Sequence, residues 1–212
     1  MQDNPRLGIA LMIATTIVFA VQDGISRYLA ENYNVITVVT IRYMFFMCFV
    51  LAYGSRQKGG IRQMASSDQL PLQIGRGLLL LAQICVAILS FSTLGLVNFH
   101  AVFASYPLMV MALSVLILGE AVGWRRWLAV FVGFCGVLLI LRPGTEMFSG
   151  MTILPVLAAF MMAIYGILTR YAARHDAAET SFFWTAMAGG IAMLFIGPFF
   201  WLPPVGSDWG WM

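Results

Sequence analysis

The sequence predicts an all-α fold, a polytopic transmembrane helix bundle of about seven spans, and three observations carry that prediction. Of 212 residues, 61% are hydrophobic and only 10% charged, with a mean hydropathy of +0.88, whereas soluble domains carry about a quarter charged residues. The apolar residues come in blocks of about twenty, the length a helix needs to cross ~30 Å of hydrocarbon at ~1.5 Å per residue. Short polar connections separate the blocks, and the basic residues collect in alternate ones. A β-barrel would instead show alternating strands of about ten residues.

The spans fall at 7–28, 35–53, 73–94, 97–118, 124–141, 151–171 and 181–202. The first is followed by Gln22, Asp23 and Arg27 rather than a small-residue cleavage site, so it is not a cleavable signal. The second and third are separated by the longest connection, "GSRQKGGIRQMASSDQLP", and the third and fourth by almost nothing around Leu96, which forces a helical hairpin. The fourth carries a central Pro107, which frees a carbonyl and predicts a kink. The fifth carries Gly133 and Gly136, a smooth face for close helix approach. The sixth and seventh follow, with Trp184 and Trp201 toward opposite ends of the seventh.

Lys and Arg accumulate on the cytoplasmic side of short loops. A cytoplasmic N-terminus puts Arg6, Arg56, Lys58, Arg62, Arg76, Arg125, Arg126, Arg170 and Arg174 inside, nine of the 12 basic residues, leaving Arg27 and Arg142 outside and Arg42 within a span. Glu146 then faces out, and the chain belongs in a cell inner (plasma) membrane as a multi-pass protein. The net charge of +3 forms no patch, so nucleic acid is not an expected partner. Cys48, Cys85 and Cys135 lie in three different apolar runs without metal-ligand spacing and read as packing residues, implying no disulfide, metal or cofactor.

Shifting the first span along the chain until Ile25 falls on Leu168 lays "ISRYLA" (25–30) on "LTRYAA" (168–173), so that Ser26 meets Thr169, Arg27 meets Arg170 and Tyr28 meets Tyr171. Five spans precede the second copy. Five is odd, so the copy enters the membrane from the opposite side, which makes it an inverted repeat, the architecture of many secondary transporters.

The stretch "LGEAVGWRRWLAVFVGFCGVLLILRPG" (118–144) after a span with Pro107, the opening "ATTIVFAVQDGISRYL" (14–29), the intramembrane Arg42 and "RGLLL" (76–80) together resemble the EamA module of the drug/metabolite transporter superfamily. The pattern is especially similar to the branch that includes S-adenosylmethionine uptake carriers. The resemblance implies ten spans in two inverted five-span modules. Residues 1–144 would be the first module and 150–212 the first two spans of a second, C-terminally truncated one. It also implies secondary transport of a small metabolite, amino-acid-like, nucleotide-like or drug-like, by alternating access. A non-transporting membrane scaffold or assembly partner is the alternative.

Ionisable groups inside a span are costly and are functional candidates. Asp23 lies sixteen residues into a span that starts inside, ~24 Å up, and Arg42 is seven residues into one that starts outside, ~10 Å down. Their depths coincide, so the two are expected to meet. They form either a permanent ion pair or one in which Arg42 exchanges Asp23 for a substrate carboxylate or phosphate. The repeat-related positions, Gly166 and Thr185, carry no charge, so such a site would be asymmetric. Gln22 and Gln83 either contact a solute or bridge helices. Tyr106 beside Pro107, with Tyr165 and Trp184 in the second copy, would line the site or serve as filler. Glu120 is expected to clamp a turn with Arg125 and Arg126, and His100 is either a proton sensor or an interfacial histidine.

Other classes fit less well. A retinal Schiff base needs a lysine in the last span, and Lys58 in a loop is the only lysine; His100 and His175 fall on opposite sides of the membrane, which disfavours an enzyme centre. The expected partners are a small-molecule substrate, with proton coupling as an option, and the lipid bilayer. As it stands the chain is expected to insert but not to transport alone, and to self-associate or to need the missing C-terminal spans.

Overall fold

The computed structural model describes residues 5–57, 59–118, 123–141, 153–204 and 206. Lys58, Glu120, Arg142 and Glu146 lie outside the described residues, as do the expected module boundary between 144 and 150 and the side chains of Arg6 and Arg126.

Among the described residues every regular element is helical: α1 (Pro5–Asn32), α2 (Val35–Arg56), α3 (Gly60–Ala65), α4 (Leu70–Leu94), α5 (Leu96–Phe103), α6 (Tyr106–Leu118), α7 (Trp124–Leu141), α8 (Ile153–Ala172) and α9 (Ala178–Ile196), with a 3-10 turn over Gly197–Phe200. Six stretches among them are long and apolar enough to cross a membrane, and a shorter apolar segment, Trp127–Gly136, lies within α7. The first half of α1 exposes Ile9, Met12, Ile13 and Ile17, as a helix facing lipid should.

Local chemistry sets the element ends. Only Tyr33 and Asn34 separate α1 from α2, and the Asn34 side chain caps α2 by accepting the Ile36 amide at 3.0 Å. Proline in the first turn of α4 costs no hydrogen bond there. α4 ends at Gly95, whose φ of +79° suits glycine and lets α5 begin at the next residue.

The connection between the second and third spans contains a helix, since Gly60–Ala65 forms α3 and buries Met64 with Val50, Phe183 and Ala186. The fourth span is interrupted at Ala104 and Ser105, beside Pro107, into α5 and α6. Pro107 has no N–H to give the Phe103 carbonyl. At the break the Ser105 hydroxyl donates to the Val102 carbonyl at 2.7 Å, and the Ser105 carbonyl accepts the Leu108 and Met109 amides at 3.0 and 3.2 Å, so that α6 starts afresh from Ser105.

Helix α4 packs on α8 and α9, α2 packs on α9, and α6 packs on α8. The faces of α8 and α9 turned inward are small, with Ala158, Ala159 and Ala163 on α8 and Ala186, Ala188, Gly189 and Gly190 on α9 all buried. Small residues let helices approach without hydrophobic drive in lipid. A Cβ built on Gly77 of α4 would sit 2.9 Å from the Ala188 Cβ, and one on Gly189 would sit 2.0 Å from the Tyr43 ring of α2. In α7, Gly133 comes within contact of Leu108 as expected of a bracing face, but Gly136 meets nothing within 4 Å.

Helices α2 and α9 are antiparallel. The Thr37 hydroxyl near the start of α2 donates to the Phe200 carbonyl and accepts the Leu202 amide, both at 3.1 Å, just beyond the end of α9. At the other end, the turn between α8 and α9 is tied to the α3–α4 connection, since Asp176 accepts from Ser67 and from the Asp68 amide. The starts of α4 and α9 therefore share one face, opposite the start of α2.

Candidate functional site

A cavity of about 1110 Å³ opens between α1, α2, α4, α8 and α9. Its walls are mostly apolar, and apart from Tyr43 its polar side chains fall into two groups. On one side are Gln22 and Ser26 of α1 with Arg42 of α2; on the other are Arg76 of α4, Tyr165 and Thr169 of α8, and Ser181 and Thr185 of α9.

The Arg42 group is sparsely bonded. Arg42 Nη1 donates to Ser26 Oγ at 3.2 Å, and Ser26 itself donates to the Gln22 carbonyl one turn back at 2.7 Å. The expected Asp23–Arg42 ion pair does not form. Asp23 Oδ2 instead lies 3.3 Å from Nε2 of His100 on α5. Helix α5 presents Asp23 with a nearer partner, and Arg42 turns toward the cavity.

The Arg76 group is far denser. Arg76 is only 1% exposed, yet it lines the cavity. Its Nη1 donates to Thr169 Oγ1 at 3.1 Å, and its Nη2 reaches Gln73 Oε1 at 2.8 Å, the Ser181 carbonyl at 2.7 Å and Thr185 Oγ1 at 3.1 Å. Its guanidinium carbon stands 5.3 Å from the centre of the Tyr165 ring, a cation–π distance. Every one of these partners is neutral, and Nε has no hydrogen-bond acceptor. Among the described residues no carboxylate stands within 4.0 Å of either Arg42 or Arg76.

Among the described residues, the carboxylate linked to Arg76 acts through an amide. Gln73, fully buried, accepts from Arg76 and donates to Asp176 Oδ2 at 2.7 Å, and Asp176 also accepts from Ser67 and the Asp68 amide. Burial raises the Asp176 pKa, but the hydrogen bonds from Gln73, Ser67 and Asp68 outweigh it and hold the carboxyl below its ordinary value.

Of the residues singled out from sequence, Arg42 and Tyr165 line the cavity together with Gln22, whereas Asp23, Gln83, Tyr106 and Trp184 do not. Gln83 is buried within α4. Tyr106 stacks on Phe103 across the α5–α6 break, with ring centres 5.7 Å apart. Trp184 donates its indole N–H to the Ala65 carbonyl at 3.1 Å and so anchors the end of α3. Arg76, which the sequence places at the cytoplasmic end of the third span, is not among the candidate site residues there, and the structure brings it to the cavity wall.

Residues 6–142 match the family described as EamA-like transporter family. The chain is 26% identical over 205 residues to the S-adenosylmethionine uptake transporter of Rickettsia felis, covering 95% of this chain and 67% of that protein. It is 24% identical to the protein of the same name from Rickettsia prowazekii, covering 93% of this chain and 66% of the relative. To the riboflavin transporter of Vibrio cholerae it is 27% identical over 180 residues, covering 84% of this chain and 60% of that one. The chain thus spans about two thirds of the length of the curated relatives it matches. No solved structure matches it at a significant level.

Proposed function

The chain belongs to the EamA-like transporter family, and from that premise we propose that it binds a small metabolite in the cavity between Arg42 and Arg76 and carries it across the membrane by alternating access. The observation that carries this proposal is the composition of the cavity wall. Gln22 and Ser26 face it from α1, while Tyr165 and Thr169, their counterparts in the repeat, face it from α8. A cavity flanked by two related, oppositely directed helix pairs is the arrangement in which one pair can rock against the other around a fixed site. In this reading α1–α2 and α8–α9 are inverted copies, residues 1–144 form a first module and 150–212 the start of a second, and the protein is a carrier rather than an enzyme. The N-terminus lies in the cytoplasm and the membrane is the cell's inner one.

The relatives are named for S-adenosylmethionine and riboflavin, and metabolites of that size suit a cavity of about 1110 Å³. The test is counterflow of labelled S-adenosylmethionine and riboflavin in vesicles. It compares the 212-residue chain with the same chain extended by three spans from a relative, each with and without Ile84→Trp, which fills the cavity wall. Saturable counterflow that Ile84→Trp abolishes supports carriage through this cavity. Counterflow indifferent to the substitution, or none from either chain with these solutes and a wider metabolite panel, refutes it.

A further inference from the structure

Resting on the carrier reading above, we propose that Arg76 is the anion-binding residue of the cavity, a guanidinium supplied by α4 to the α8–α9 pair in the place that Arg42 occupies for α1–α2, and that it holds the carboxylate of a small organic acid with an apolar or aromatic body.

The two arginines are bonded alike although they are not related in sequence. Arg42 Nη1 donates to Ser26 Oγ at 3.2 Å, and Arg76 Nη1 donates to Thr169 Oγ1 at 3.1 Å. Each hydroxyl then donates 2.7 Å to the carbonyl four residues earlier, Gln22 in one case and Tyr165 in the other. The register that lays Ser26 on Thr169 also lays Gln22 on Tyr165. In the same register Arg42 falls on Thr185, which carries no charge, and the Thr185 hydroxyl also accepts from Arg76. The missing cation of the second pair is thus replaced from a third helix.

The chemistry of that cation selects its ligand. A buried guanidinium whose contacts are all neutral retains an uncompensated charge, an expensive state unless something makes use of it. Asp176, reached only through Gln73, lessens that expense. A carboxylate would form a charge-assisted bond with Nη1, the Nη2 side being filled by Gln73, Ser181 and Thr185. It would take over the position of the Thr169 hydroxyl, itself part of the cavity wall. The rest of the ligand meets Leu80, Ile84, Met162 and Phe182, which favour an apolar body, and the Tyr165 ring beside Arg76 offers a stacking face.

The test measures binding of labelled indole-3-acetate and indole-3-acetamide, which share one body and differ in charge, to the full chain in lipid nanodiscs. The acid is expected to bind the native protein at least about tenfold more tightly than the amide, as charge-assisted bonds allow. Arg76→Gln should abolish that preference, Arg76→Lys, which keeps the charge but loses the fork, should keep only part of it, and Arg42→Gln should leave most of it. Should Arg76→Gln fail to fold, the lysine variant decides on the same criterion. Equal binding of acid and amide to the native protein, or a preference untouched by either Arg76 variant, overturns the proposal while leaving the cavity as a metabolite site. Binding of neither probe overturns the proposal, and the counterflow experiment above then decides separately whether the cavity carries a metabolite.

Discussion

Replacing Gly189 by alanine should destabilise the bundle, whereas the same change at Gly166 should not. Both glycines are mid-helix, so either substitution gains up to about 1 kcal/mol of helix propensity. Their surroundings differ. A Cβ at Gly166 would meet only Val110 Cγ2 at 3.9 Å, ordinary contact, but at Gly189 it would lie 2.0 Å from Tyr43 Cε1 and 2.7 Å from two further ring atoms. A ring is not the yielding end of a flexible chain, and Tyr43 is 4% exposed and edge-packed on Phe46. Relief requires the ring or helix α2 to retreat, an overpacking cost of about 1–3 kcal/mol at its upper end. The net loss of about 1–2 kcal/mol corresponds to a drop of roughly 2 to 8 °C in Tm for a chain of this size. Thermal unfolding in detergent, followed by size-exclusion recovery of tagged protein, measures it. Tyr43→Leu in the same chain should abolish the cost of Gly189→Ala, giving a coupling of about 1 kcal/mol or more. Equal melting of the two alanine variants would refute the close packing of α2 on α9.

Other expected outcomes are briefer. In double-mutant cycles on stability, Asp23→Asn should couple with His100→Gln by up to about 1 kcal/mol, the range of partly exposed pairs, and more strongly than with Arg42→Gln; the reverse order would restore the Asp23–Arg42 pair. Because the folded-state pKa of Asp176 is depressed, its contribution to stability is present above the unfolded carboxylate pKa of about 4 and is lost as pH falls through the lower folded value. Asp176→Asn should therefore lower Tm at neutral pH and match the native protein in strong acid, and a constant difference across an acid titration would contradict the hydrogen-bonded anion. Single cysteines at Asn32 and Arg174, in a chain lacking Cys48, Cys85 and Cys135, should label with an impermeant thiol reagent from opposite sides of the membrane, Asn32 from outside. Labelling of both from one side would rule out the alternation.

What was legible in the sequence follows from what is local. Spans are set by runs of hydrophobicity, so the limits of α2, α4, α7 and α8 lie close to the expected ones. Pro107 signals a disturbance of the fourth span, but where the helix stops and restarts, at Ala104 and Ser105, is more than proline spacing alone specifies. The cavity was half legible. Arg42 and Tyr165 stand out as polar groups in apolar runs, and they do line it. Asp23 was assigned the wrong partner because depth fixes only one coordinate, and the rotation of α1 and the nearness of α5 decide the rest. For a different reason, Arg76 does not stand out. It lies six residues into α4, ~9 Å from the helix start, where it reads as one of several basic residues at the cytoplasmic end of a span. Only the arrival of α8 and α9, far later in the chain, buries it.

The two arginine sites also differ in rigidity, which separates charge from preorganisation. Arg42 is held by a single bond of 3.2 Å to a neutral hydroxyl, whereas Arg76 is fixed by four acceptors on three helices and a ring. Immobilising a long side chain on binding costs about 0.5–1.5 kcal/mol, and at Arg76 that cost has already been met in the folded protein. Discrimination between an acid and its amide should therefore reside at Arg76, and it should depend on the acceptors as well as on the charge. Thr185→Val tests this directly, because it leaves the guanidinium in place and removes one acceptor that is 5% exposed. Loosening Arg76 by one bond of about 1 kcal/mol should reduce the acid-over-amide preference several-fold while the amide binds as before. Loss of binding for both probes would mean that Thr185 shapes the cavity itself, and an unchanged preference would mean that charge alone selects the ligand.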